Sequence, residues 1–177
     1  DQNIGIDKSS GIRNIASIPK DTTAVVINVV NKGIMVLDTG RTFKSGNLTK
    51  GEGTAYLAQA FGLEPKVGKS SFTDIPPMHP YLPQINAAVA AGLVRGVSGT
   101  KFGTFESMTR EQLADSIMIG LKTKYGSRLA ITGAAMQFKD ISKISAWARQ
   151  SVSEASALGI MKGGVDGSFN PQGKVTF

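Results

Sequence analysis

Twice in this chain a threonine followed by a basic residue opens an apolar, helix-forming stretch: Thr49-Lys50 and Thr109-Arg110. A cation in the first turn of a helix stands beside backbone N–H groups that have no partner within the helix, a combination suited to holding an anion. Around each pair lie residues that could complete a ligand site. Asp74 and Asp140 end Phe-x-Asp triplets, Tyr81 and Trp147 follow them, and Gly96 and Gly163 open glycine-rich loops. A bland reading stands beside each of these. Asp74 and Asp140 can hold their own loops by accepting from local N–H groups, Tyr81 and Trp147 can be packing, and the glycines can simply permit the turn.

Catalysis has little to stand on. His79 is the single histidine and sits among Met78, Pro80 and Pro83, with no serine or aspartate set beside it in a recognisable motif. The chain has no cysteine, which excludes thiol nucleophiles, thiolate metal sites and disulfides. Neither a metal-ligand cluster nor a cofactor motif is present. Gly62 to Gly68-Lys69-Ser70 has the look of a phosphate loop, but five residues separate the glycines where that loop has four.

The 177 residues are 41% hydrophobic and 19% charged, a globular composition. No apolar run approaches the roughly 20 residues of a membrane-spanning helix. Asp1 is not a translation start, so the chain reads as a mature secreted product or an excised piece. A net charge of +7 and a pI near 9.7 favour a polyanionic partner: nucleic acid, an acidic membrane or an acidic wall polymer. Helix–turn–helix, zinc and RNA-binding signatures are missing, which sets nucleic acid aside.

The elements that must position these residues recur in order, the mark of an array of one supersecondary unit. Phe72-Thr-Asp74, a helix closing at Gly92-Leu93, a loop with Phe102, and Thr109-Arg110-Glu111-Gln112 form the clearest copy. The tail repeats it with Phe138-Lys-Asp140, Trp147, Gly159-Ile160, Phe169 and Val175-Thr176. The head carries Ile15-Ala-Ser17, Gly33-Ile34, Phe43 and Thr49-Lys-Gly-Glu52. Each first helix ends in a glycine suited to the left-handed closing turn, and Thr49 and Thr109 each begin a capping box. Leu113, Ile117 and Leu121 at helical spacing predict a buried face. Residues 22–32 look strand-like by propensity, but the repeat predicts a helix there. Residues 1–14 read as an extended lead-in, followed by copies at 15–66, 67–130 and 131–177, the last ending where its second helix should begin.

Taken together, Phe-x-Asp, Gly163-Gly-Val-Asp166-Gly167-Ser-Phe169-Asn-Pro171 and Thr109-Arg110 resemble the S-layer homology domain, across about 15–177. The resemblance implies a mainly α fold: three helix–loop–helix modules in a pseudo-threefold, three-pronged assembly around a central helical bundle. It implies non-covalent anchoring to the cell wall of Gram-positive bacteria from a secreted, cell-surface position, without enzymatic activity. The implied partner is an acidic cell-wall polysaccharide, the secondary wall polymer, recognised through pyruvylated N-acetylmannosamine in grooves between modules; other surface-layer subunits are a further partner class. Carried onto this sequence, the site comprises Arg110, Lys50, Thr109, Thr49, Asp74, Asp140, Tyr81, Trp147, Gly96 and Gly163, with the Arg110 groove the leading one and the Lys50 groove second. Gln112 stands where the family has an acidic residue, and Phe177 where it has a basic one. The alternative is a protein–protein scaffold whose sugar grooves no longer bind.

Overall fold

The structure, a computed structural model, describes residues 46–129, 131 and 137–176. Asn47–Thr176 is one compact unit. The expected helix at 22–32, Ser17 and Phe43 lie outside the described residues. Within them the chain is helical: α1 (Lys50–Ala60), α2 (Leu82–Ala90), α3 (Arg110–Tyr125) and α4 (Arg149–Ala157), with 3-10 turns at Gly126–Arg128 and Ile141–Lys143. No strand occurs among the described residues, only isolated antiparallel bridges.

Local chemistry accounts for the helix ends. Thr49 Oγ1 accepts from Glu52 N at 3.2 Å while Thr49 N donates to Glu52 Oε2 at 2.9 Å. At α3, Thr109 Oγ1 accepts from Gln112 N and Thr109 N donates to Gln112 Oε1. The amide therefore completes the capping box as well as a carboxylate would, each box contributing about 1 kcal/mol. Gly92 and Gly159 follow α2 and α4 at φ 69° and 70°, the left-handed closing turn that a side chain would strain.

Packing runs across the sequence copies. α1 packs on α2, and α3 packs on α4, so each threonine-initiated helix lies against the first helix of the copy that follows it. Ala114, Met118, Ile144, Ala148, Val152, Ala155, Met161 and Phe169 form one core cluster, with Leu113 and Leu121 partly buried at its edge. Here the structure departs from the expected Leu113, Ile117, Leu121 face. The fully covered positions of α3 fall on two faces, Ala114 and Met118 toward the core cluster and Ser116 and Gly120 on another, because neighbours approach both. A Cβ on Gly120 would lie 2.3 Å from the Phe61 ring.

The segments entering the helices meet in a closed ring of hydrogen bonds. Leu48 N donates to Val175 O at 2.7 Å, Val175 N to Met108 O at 2.9 Å, and Met108 N to Leu48 O at 2.8 Å. Each of three related segments thus donates once and accepts once, a cyclic arrangement that satisfies backbone groups without building a sheet. This ring fixes where the two basic residues emerge.

Candidate ligand groove

The first residues of α1 and α3 are more heavily engaged than a free helix terminus would be. Lys50 N and Gly51 N donate to Glu106 O and Thr104 O, and Arg110 N and Glu111 N donate to Gly173 O and Pro171 O. With the capping hydroxyls taking the next N–H, the three leading donors of each helix are occupied by the protein. The expectation of N–H groups open to an anion is therefore corrected: the neighbouring loop's carbonyls already sit there.

The basic side chains follow the same pattern. Lys50 is only 5% exposed. Its Nζ donates to Arg95 O at 2.6 Å and Phe102 O at 2.8 Å and lies 4.5 Å from the centre of the Phe102 ring. Burial brings its ammonium down from 10.5 to about 8, against the opposing pull of Glu106 and Asp74. Arg110 Nε donates to Phe169 O at 2.9 Å and Nη2 to Lys162 O at 2.7 Å, over the Phe169 ring at 4.7 Å. Each cation clasps the loop of the next copy through two carbonyls and one aromatic face.

The aspartates hold those loops from the other side. Asp74 accepts from Phe102 N, Gly103 N and Thr104 N, and Asp140 accepts from Phe169 N and Asn170 N. Desolvation raises each carboxyl, but these N–H bonds outweigh it and leave both below the ordinary value. Gly96 and Gly163 are glycines because a Cβ would lie 2.5 Å from Phe72 Cε1 and 2.8 Å from Phe138 Cε1 respectively. Thr49 and Thr109 are capping residues.

One groove joins residues of all three sequence copies. Lys50, Val94, Arg95, Gly96, Val97, Met108, Gln112, Asp115, Ser116 and Trp147 line a volume of about 420 Å³. Lys50, Gly96 and Trp147, predicted from sequence, meet here. Trp147 is 50% exposed, an aromatic surface available to a ligand. Arg110 and Gly163 meet in a second, more open depression of about 370 Å³ with Lys162, Asp166 and Ser168. The walls that α3 and Trp147 give the Lys50 groove have no counterpart there among the described residues. Tyr81 is in neither. It is the N-cap residue of α2 and packs edge-on against Tyr56 and His79.

Tyr81 and Trp147 align in sequence but not in space. Asp140 is nine residues ahead of α4 whereas Asp74 is eight ahead of α2, so Trp147 falls one residue before the N-cap Ala148. His79 is half-buried, with Nδ1 accepting from Tyr81 N, and desolvation outweighs the charge of Glu52 to keep its pKa low. No group of His, Cys, Asp or Glu among the described residues could hold a metal ion.

Residues 71–114 and 137–177 match the S-layer homology domain. The match comprises two segments, and the head copy is not one of them. Among curated relatives, an endoglucanase of Bacillus sp. (strain KSM-635) is 29% identical over 71% of the chain and 13% of that protein. An amylopullulanase of Thermoanaerobacterium thermosulfurigenes is 30% identical over 73% of the chain and 7% of its own length. A surface-layer 125 kDa protein of Lysinibacillus sphaericus is 26% identical over 85% of the chain and 13% of its own. The chain spans a small fraction of each relative it matches.

Within the first matched segment sits a residue that sequence reasoning passed over. Arg95 lines the Lys50 groove, and Lys162 occupies the same place beside Arg110. Both precede the loop glycine, Arg95-Gly96 and Lys162-Gly163, a recurrence visible in the sequence. Glu111 was passed over too. It is 2% exposed and ties α3 to the following copy by accepting from Ser145 N, Ser145 Oγ and Gln172 Nε2.

Proposed function

We propose that this chain is a non-enzymatic wall anchor that holds its parent protein at the cell surface by binding an acidic cell-wall polysaccharide. The observation that carries the reading is the groove in which Lys50, Arg95, Gly96 and Trp147 meet. It pairs positive charge with a half-exposed indole, the two things that a sugar bearing a carboxylate needs: a charge partner and an apolar face to stack on. The +7 net charge adds long-range attraction to a polyanion. The two matched segments and a relative named as a surface-layer protein support the same assignment.

In this reading the ligand unit is pyruvylated N-acetylmannosamine, whose ketal presents a fixed carboxylate. Three modules, 15–66, 67–130 and 131–177, compose a three-pronged assembly; the ring through Leu48, Met108 and Val175 supports that symmetry. The Lys50 groove leads, because its walls are complete among the described residues. Calorimetric titration with a pyruvylated N-acetylmannosamine glycoside tests it, alongside the same sugar without the pyruvyl group. Heat from the pyruvylated form alone is the expected result; equal binding of both would remove the carboxylate from recognition, and binding of neither would overturn the reading.

A further inference from the structure

Two cations border each depression, at different depths. Beside Lys50, which is 5% exposed, stands Arg95, an exposed residue whose guanidinium makes no hydrogen bond or ion pair among the described residues. Beside Arg110, whose Nε and Nη2 are bound to carbonyls, stands the exposed Lys162. In both cases the inner cation bonds the backbone carbonyl of the outer one: Lys50 Nζ to Arg95 O, Arg110 Nη2 to Lys162 O. The inner cation thereby fixes the backbone from which the outer side chain projects.

Resting on the wall-anchor reading above, we propose that Arg95 is the specificity-determining cation of the Lys50 groove, the group that meets the ligand's carboxylate. Lys50 acts beneath it as a positioning residue. Three observations converge. Lys50 has spent two of its three N–H donors on the loop, and its ammonium lies on the Phe102 ring. Arg95 lines the groove with its donor fork unused, and a guanidinium takes a carboxylate through two parallel hydrogen bonds. The second depression repeats the two-tier arrangement with the residue types exchanged, Arg110 inside and Lys162 outside. A planar fork at one lip and a point charge at the other would give the depressions different grip on one anion.

The test uses the full chain and the pyruvylated glycoside, with Arg95→Gln compared against Lys101→Gln. Lys101 is an exposed cation of the same loop that does not line the groove. The two variants lose the same charge, so a general electrostatic effect would weaken both equally. The expected result is a loss of about tenfold or more in affinity for Arg95→Gln, with a flatter salt dependence, an unchanged unfolding midpoint and partial recovery in Arg95→Lys. Lys101→Gln should bind within about twofold of the unaltered chain. Equal losses in the two variants, or full affinity in Arg95→Gln, overturn the assignment while leaving the anchor reading intact. Failure of the unaltered chain to bind overturns both.

Discussion

Loop 94–104 and loop 161–171 are two versions of one device, and their differences separate what the architecture demands from what it tolerates. Both are pinned by a cation from the preceding helix, by an aspartate from the start of their own copy, and by one phenylalanine buried beneath. The cation is Lys50 in one and Arg110 in the other, yet it reaches equivalent carbonyls: Arg95 and Phe102, Lys162 and Phe169. The aspartate takes three N–H groups in the first loop but two in the second, where Pro171 stands in the place of Thr104 and has no N–H to give. The left-handed position is Gly103 at φ 81° in one and Asn170 at φ 56° in the other, asparagine being the non-glycine residue that tolerates it best. What recurs is a requirement for charge, donor and backbone handedness, met by different residues.

That comparison can be broken first at the glycines. Gly96→Ala would drive a Cβ to 2.6 Å from Lys101 O and 2.7 Å from Ser98 O, backbone that has little room to move. It should cost about 2–3 kcal/mol by urea denaturation. Gly163→Ala, whose nearest backbone atom is Ser168 O at 2.9 Å, should cost about 1 kcal/mol. An equal cost would mean that the two loops are packed alike.

The aspartates give the next effect. Asp74→Ala abandons three N–H groups and Asp140→Ala two, so the first should destabilise by about 2 kcal/mol and the second by about 1 kcal/mol, water replacing part of each loss. Acid should mimic them. Both carboxyls titrate below their ordinary value of 3.8 in the folded chain, so their stabilisation is present above that pH and is lost as pH falls through the lower folded value. A fluorescence-monitored unfolding midpoint that stays flat from pH 5 to strongly acid conditions would contradict this.

A dependence of stability on pH sharpens the contrast between the cations. Lys50 titrates near 8 in the folded chain against 10.5 as its ordinary value. Over that window the unfolded chain binds more protons, so stability should rise with pH, the neutral amine still having two N–H groups for its two carbonyls. Lys50→Arg should abolish the rise, because a guanidinium does not titrate there. A rise that survives in Lys50→Arg would belong to some other group.

Much of this was legible before any coordinates. The capping boxes at Thr49 and Thr109 and the closing glycines Gly92 and Gly159 follow from local rules, because each is decided within one helical turn. Phe102 and Phe169, which recur in the loops of both copies, are 0% and 1% exposed. What the sequence hid were matters of pairing between copies. The basic residues read as ligand partners because nothing local shows that carbonyls some 45–59 residues away will occupy them. The Lys50 groove stood second because its completeness depends on α3 and Trp147, which the chain brings from the next two copies. Trp147 and Tyr81 looked equivalent because a one-residue difference ahead of α4 is invisible until the helix starts are known.

Cosedimentation of the chain with wall sacculi, intact and stripped of their secondary polymer, tests the central claim most directly. The account predicts that the chain pellets with intact sacculi, remains in solution with stripped ones, and is released by rising salt. Equal pelleting with both would contradict it, placing the binding partner in the wall scaffold itself rather than in an acidic polymer attached to it.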